Sequence, residues 1–392
     1  MIDTKTLCSL TLLIFLFGCE SESKSNESSQ VKESNQNIEI KKTRPVPIAV
    51  NAELTALSKY CGFIDSTFCD DSDAQWNQLN EKIDAYYDKA IPKKEKMSHW
   101  RRSNLDSSLT KLFYPFSGPD FLHADILFPD IDTIVMIGLE PLGELEKLTS
   151  NICNRSYRNN LTNSLYMILN NSFFRTNSMA VNYKEHLDGT LPVFLHFFSR
   201  NNYDIVNLRK VQINANAQLS YQMNCDSCFN GIEYSVVKNN KLKTLYYFSE
   251  NLSDSDYLPV GEKVNRDGIQ KHPEFIQFLR NLNVDITYLK AASYLLHRPY
   301  FSTIRDFILE ESDMILQDDS GVPIRYLNNE NWDATYFGSY NTPIPLFAER
   351  YQKELYDIYN EPGSEINPLD FGIGYKFRLG TSNLMLFKSI DK

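Results

Sequence analysis

Residues 112–143, LFYPFSGPDFLHADILFPDIDTIVMIGLEPLG, constrain the fold more than any other stretch of the chain. They read as strand, tight turn, short helix and strand, the βαβ unit from which parallel sheets are built. Residues 112–116 form an apolar, aromatic run. Ser117 is placed to cap the helix, with Asp120 three residues on in the S-x-x-D spacing of a capping box. Phe121, Leu122, Ala124, Ile126 and Leu127 give the helix an apolar side, and Pro129-Asp130 stop it. The β-branched run 133–139 ends at Glu140-Pro141.

Helices and strands alternate around this unit. Residues 52–104 read as a helical lead-in, with Trp76, Leu79, Ile83, Tyr86 and Tyr87 at helical spacing and a break at Pro92. Further helices are expected at 144–151, 162–174, 191–199, 273–282, 291–297 and 302–310. Strands are expected at 204–214, 232–237, 244–248, 286–289 and 314–317. Near the end, 371–379 and 384–389 flank Gly380-Thr381-Ser382-Asn383 in a hairpin pattern. The expected architecture is α/β: a three-layer Rossmann-like domain over 111–392 with a mixed sheet, a helical lead-in over 50–110 and a C-terminal β-hairpin.

At the amino end, Lys5 precedes an apolar run over 10–17 interrupted only by Thr11, then Gly18-Cys19. That run is too short to span a bilayer and reads as an export signal. Leu16-Phe17-Gly18-Cys19 resembles the lipobox of bacterial lipoproteins, with Phe17 where a small or β-branched residue is usual. The resemblance implies cleavage before Cys19 and acylation of that cysteine, so 1–18 is a signal peptide and the membrane is a partner through a lipid anchor. Residues 20–47 are rich in Ser, Glu, Asn and Lys and bury little, so 19–49 reads as the lipidated cysteine and a disordered tether. Several acyl chains hold a protein stably on a bilayer. Glu20, in place of the aspartate that retains such proteins at the inner membrane, implies the outer membrane. The body is similar to uncharacterised lipoproteins of Gram-negative bacteria, a likeness that implies no activity.

The net charge of −10 gives no footprint for nucleic acid and argues against adhesion to anionic lipid through a basic surface. The most basic stretch, 93–102 (KKEKMSHWRR), reads as a solvated helix face.

With Cys8 removed and Cys19 lipidated, Cys61, Cys69, Cys153, Cys225 and Cys228 remain. In an oxidising compartment near neighbours are expected to pair, Cys61 with Cys69 and Cys225 with Cys228, which leaves Cys153. The C-D-S-C motif precedes a strand, without the helix that activates a redox dithiol. No second pair of ligands supplies a metal site.

Ligands of open α/β sheets sit at the carboxyl ends of parallel strands. Ser117, Asp120, Glu140, Asp318 and Asp319 fall there and are the candidate ligand-binding residues. The interval from Gly118 to Glu140 matches that between a nucleotide-binding turn and its ribose-binding acid. The unit resembles the first βαβ of class I methyltransferases, whose sheet also ends in an antiparallel hairpin. Ser117-Gly118-Pro119-Asp120 has one glycine where the fingerprint has three, and Pro119 removes an N–H, so the scaffold is expected to carry no cofactor. His123 and Asp125, two apart on a helix, do not share a face. His196 reads as a core histidine, and the aromatic-rich segment 332–359 as core or stacking platform. The expected function is binding of a small molecule, glycan or protein at the cell envelope; the alternative is a hydrolase or transferase using the strand-end carboxylates.

Overall fold

The computed structural model describes residues 47–392 apart from 70–73, 107, 173–182, 184–185, 224–227, 255–272, 379 and 391. Cys19, the expected signal peptide and most of the expected tether lie outside the described residues. Among the described residues eleven strands form one sheet. In chain order these are β1 (Lys111–Tyr114), β2 (Thr133–Gly138), β3 (Asp204–Ile213), β4 (Leu219–Ser220), β5 (Phe229–Lys238) and β6 (Lys241–Ser249). There follow β7 (Ile286–Leu289), β8 (Met314–Gln317), β9 (Trp332–Gly338), β10 (Ile366–Asn367) and β11 (Asn383–Ser389).

The βαβ stretch sets the centre: β1 and β2 pair in parallel, Leu112 beside Ile134. The sheet runs β10-β9-β11-β8-β7-β1-β2-β6-β5-β3-β4, and its middle five strands, β8 to β6, are all parallel. Taken in chain order those five stand as 3-2-1-4-5, the order of the first five strands of a doubly wound sheet. β11 then lies antiparallel between β8 and β9. On the other side β5 and β6 form a hairpin whose turn residues, Asn239 and Asn240, both have positive φ, as a tight two-residue turn requires.

Strand alternation divides the interior into two cores. Leu112, Tyr114, Ile134, Met136, Leu245 and Tyr247 face one side; Phe113, Val135, Ile137 and Phe248 face the other. The first side is covered by α1 (Ala52–Cys61), α2 (Ala74–Asn104), α3 (Phe121–Leu127), α4 (Leu145–Asn151), α5 (Arg155–Asn171) and α6 (Leu191–Arg200). The second is covered by α7 (Pro273–Leu282), α8 (Ser302–Glu311) and α9 (Lys353–Asn360). The fold is therefore a three-layer α/β domain with a mixed sheet. The lead-in helices belong to the same compact unit, Pro47–Lys392.

Several elements differ from the sequence pattern. α2 runs through Pro92 to Asn104. The proline forfeits one helical hydrogen bond, at about 3 kcal/mol. Ile83, Tyr87, Met97 and Trp100, on both sides of it, are buried on the first core, and each such side chain contributes about 1.5–3 kcal/mol. Burial wins.

The last strand does not fold back on 371–379, where a lone bridge joins Ile373 and Lys376. Its sides point into both cores, Leu384 and Leu386 to the first and Met385 and Phe387 to the second, so it needs partners on both edges. β8 and β9 supply them, and β9 comes from the aromatic segment that had no strand assigned.

The cysteine pairing is also corrected. Cys69 is bonded to Cys153, with Cα atoms 5.7 Å apart, and buried Cys61 is free. Cys61 ends α1 pointing into the core, whereas Cys69 sits in the next turn, against the start of α5. Cys228 is disulfide-bonded, and Cys225 lies outside the described residues.

Candidate functional site

The parallel strands end on one edge, and each end delivers a charged side chain. β1 leads through a turn with positive φ at Phe116 and Gly118 to Asp120, which caps α3 by accepting the His123 N–H at 3.2 Å. Ser117 does not cap the helix. Its N–H and hydroxyl both donate to the Ile137 carbonyl of β2, at 2.8 and 3.2 Å, which ties the turn to the neighbouring strand.

Asp120 is the centre of a buried network. Its Oδ2 accepts from the Tyr114 hydroxyl at 2.8 Å and lies 2.6 Å from Lys290 Nζ; its Oδ1 is 2.9 Å from His123 Nδ1. Tyr114 ends β1 and Lys290 immediately follows β7, so the pair spans two adjacent strand ends. Lys290 also donates to the Ser172 carbonyl at 2.6 Å, and His123 Nε2 lies 3.0 Å from Ser172 Oγ. Ser172 closes α5 in the left-handed conformation, φ 68°.

Electrostatics fixes the charge states. Burial pushes the Asp120 carboxyl up, but the charges of His123 and Lys290 outweigh it and hold the group below the usual carboxylate range. Burial, helped by Lys290 and opposed by Asp120, lowers His123 to about 4. At neutral pH Asp120 is thus a carboxylate and His123 a neutral imidazole, while burial lowers Lys290 against the pull of the Asp120 and Asp318 charges. Lys93, on α2, is drawn in as well: burial and the Lys290 charge lower it to about 7, against the pull of Asp120. Lys93 is therefore not part of a freely solvated face.

β8 delivers Asp318 and Asp319. Asp318 accepts from the backbone N–H groups of Ser320 and Ala291, at 2.9 and 3.2 Å, and from the Ser320 hydroxyl. Burial and the neighbouring Asp319 raise it to about 6. A Cβ on Gly374, φ 58°, would stand 2.1 Å from Asp318 Oδ2, so the 371–376 loop closes over this carboxyl as only glycine permits. Asp319 accepts from the Tyr294 hydroxyl at 2.5 Å and from Asn383 at 2.9 Å, with Lys376 Nζ at 3.4 Å. Lys376 also lines a cavity of about 460 Å³ with Ser339, Asn341, Tyr375 and Arg378.

Glu140, beyond β2, stands apart. Tyr247 donates to its carboxylate at 3.2 Å, and burial raises its pKa. The structure brings Asp120 and Asp318 together around Lys290, on which both charges act, and leaves Glu140 with Tyr247 on the other side of β1. Asp125 belongs to a different contact set, 2.6 Å from the Tyr203 hydroxyl and 3.4 Å from Lys243. His196 is a hydrogen-bonded core histidine, between the Tyr87 hydroxyl and the Cys61 carbonyl.

Sequence reasoning missed His123, Ser172, Lys290, Tyr114 and Lys93. The three-residue interval between Asp120 and His123 was a usable signal, because it places both on one helix face. A lysine directly after a four-residue apolar strand was another. Nothing local marked Ser172.

Among the described residues no group of three or more His, Cys, Asp or Glu is disposed to hold a metal ion, and no helix is long and apolar enough to cross a membrane. Comparison with protein families, with curated proteins and with solved structures finds no match to this chain.

Proposed function

We propose that this chain is a lipid-anchored protein of the cell envelope, held at the outer membrane through Cys19, which binds a small molecule, glycan or protein partner without transforming it. The observation that carries the binding half is Asp120, whose oxygens already meet Tyr114, His123 and Lys290. The other candidate carboxylates are likewise engaged, Glu140 by Tyr247, Asp318 in a turn and Asp319 by Tyr294 and Asn383. Carboxylates held this way serve as struts for the loops of a ligand-bearing edge. The cavity beside Lys376, with both polar and aromatic walls, offers room for a ligand.

The strand order supports a Rossmann-like scaffold, and Pro119 argues against an anion cradle in its first turn. The anchoring half rests on Leu16-Phe17-Gly18-Cys19 and the polar tether. The Cys69–Cys153 disulfide fits an oxidising compartment. Intact-mass analysis of the native protein tests the reading. It expects a membrane-bound chain beginning at acylated Cys19, carrying a non-covalent ligand or partner. An untrimmed, unlipidated chain free in the cytosol would contradict it.

A second reading, an envelope hydrolase, is favoured by one specific contact. Ser172 Oγ, His123 and Asp120 stand in the sequence nucleophile, base, acid at 3.0 and 2.9 Å. Burial opposes it. The Asp120 carboxylate fixes the proton on His123 Nδ1 and leaves Nε2 to accept from the Ser172 hydroxyl, but Ser172 and His123 are 1% and 2% exposed, so a substrate does not reach the hydroxyl in this arrangement. Labelling of Ser172 by a fluorophosphonate, absent from Ser172→Ala, would establish the hydrolase; an unlabelled native protein keeps the binding reading.

A further inference from the structure

The loops after β7 and β8 carry a second cluster, which none of the carboxylates above explains. His297 ends the turn that follows β7 (Ala291–His297), with Arg298 next to it. Arg305 lies on α8, Arg325 in the turn after β8 (Ile324–Tyr326) and Arg350 at the end of the turn Pro345–Arg350. Five cationic or cationisable side chains therefore converge from four segments in a chain whose net charge is −10.

Their contacts place them together. Arg305 donates to the carbonyls of Leu296 and Arg298, at 3.0 and 3.5 Å, which sets its guanidinium against the backbone around His297. Arg305 and Arg325 both lie over the Tyr326 ring, 4.4 and 4.8 Å from its centroid. Arg298 and Arg350 share the exposed Glu349, at 3.8 and 3.5 Å. The charges of Arg350, Arg325 and Arg305 all act on the His297 ring, which burial and those charges keep neutral.

The cluster is incomplete as a set of donors. Among the described residues one carboxylate lies within ion-pair distance of these guanidiniums, Glu349, and only Arg298 and Arg350 reach it. Two buried guanidinium nitrogens find no partner among the described residues, Arg305 Nε and Arg350 Nη2, and His297, neutral and hydrogen-bonded to the Gly321 backbone, leaves its Nε2 unpartnered beside them. Arg305 and His297 are 7% and 9% exposed, so water does not freely supply what is missing. Buried N–H groups are seldom left unsatisfied, and like charges gathered without counterions repel. A multiply charged oxyanion resolves both at once, and arginines match its oxygens in geometry and charge.

We propose that Arg298, Arg305, Arg325 and Arg350, gathered around His297, form a binding site for a phosphate group, supplied by a soluble phosphate or by a phosphorylated lipid headgroup. The site lies on loops after the parallel strands, where α/β sheets bind ligands. It goes beyond the envelope reading, since it names a ligand class, and the two fail separately: loss of phosphate binding leaves acylation at Cys19 untouched.

Calorimetric titration of the native protein with inorganic phosphate, at constant ionic strength against chloride, tests it. Sedimentation with phosphatidylcholine vesicles, with and without phosphatidic acid, forms the second arm. The expected result is saturable binding, weakened about tenfold or more in Arg325→Gln and in Arg298→Gln, two exposed positions whose loss does not endanger the fold. The lipid-anchored chain, released from its membrane in detergent, serves the first arm, and the unacylated Cys19→Ser chain serves the second, so that the anchor itself does not hold the protein on the vesicles. Saturation by inorganic phosphate without vesicle retention assigns a soluble ligand. Retention on phosphatidic acid that phosphate competes away assigns a headgroup. No binding in either arm, or binding unchanged in both variants, overturns the proposal.

Discussion

Gly118 and Gly138 touch backbone to backbone: a Cβ built on Gly138 would stand 2.9 Å from the Gly118 Cα. The same Cβ would meet Glu140 Oε2 at 2.3 Å and the Tyr247 hydroxyl at 2.6 Å. The turn after β1 therefore rests on the end of β2, at the place where a Rossmann unit with a cofactor would hold the phosphate and ribose. Gly138→Ala should destabilise by about 1–3 kcal/mol through overpacking. Urea denaturation measures this, and a change below about 0.5 kcal/mol would show that the contact is loose.

The pH dependence of stability follows from buried groups with opposite signs. His123 and His297 are lowered to about 4 and His196 to about 3, against 6.5 when unfolded. Between those limits the unfolded chain binds more protons, so their contribution is complete above pH 6.5 and is lost as pH falls through 4. Denaturation midpoints measured across this range should decline toward acid. Replacing His123 by Gln should remove roughly 3 kcal/mol of that decline.

Asp318 works the other way. Raised to about 6 from 3.8, it binds its proton more readily in the folded state, so its contribution grows as pH falls through 6. Asp318→Asn, which removes this offset, should make the acid decline steeper than in the native chain. An unchanged or shallower slope would place the titration elsewhere.

Much of this edge was legible beforehand. The βαβ stretch, the isolated strands at 286–289 and 314–317 and the hairpin of β5 and β6 each carry a local signal, an apolar run bounded by turn residues. So did the positions of Asp120, Glu140, Asp318 and Asp319 at strand ends. Long-range choices left no such mark. Whether β11 pairs with 371–379 or with β9 depends on both faces of β11 being buried, and whether Cys69 meets Cys61 or Cys153 depends on how the turn after α1 packs against α5. Lys290 and Ser172 join Asp120 only once β7 and α5 are in place.

The disulfide gives a covalent check. Cys69–Cys153 closes a sequence separation of 84 residues, a loop whose cross-link contributes about 2–4 kcal/mol. Non-reducing peptide mapping should recover this linked pair. Cys61, buried and with its thiol pushed up by that burial, should resist alkylation until the chain is denatured. A Cys61–Cys69 peptide would refute the pairing.

The account depends most on Asp120 being held by Lys290 as a structural ion pair. A double-mutant cycle with Asp120→Asn and Lys290→Met, read by denaturant unfolding, tests that directly. Each single change should cost about 3–5 kcal/mol by leaving a buried charge uncompensated. The double mutant should lose at least about 2 kcal/mol less than the sum. Additivity to within about 0.5 kcal/mol would mean that the two side chains do not support one another, and would contradict the account.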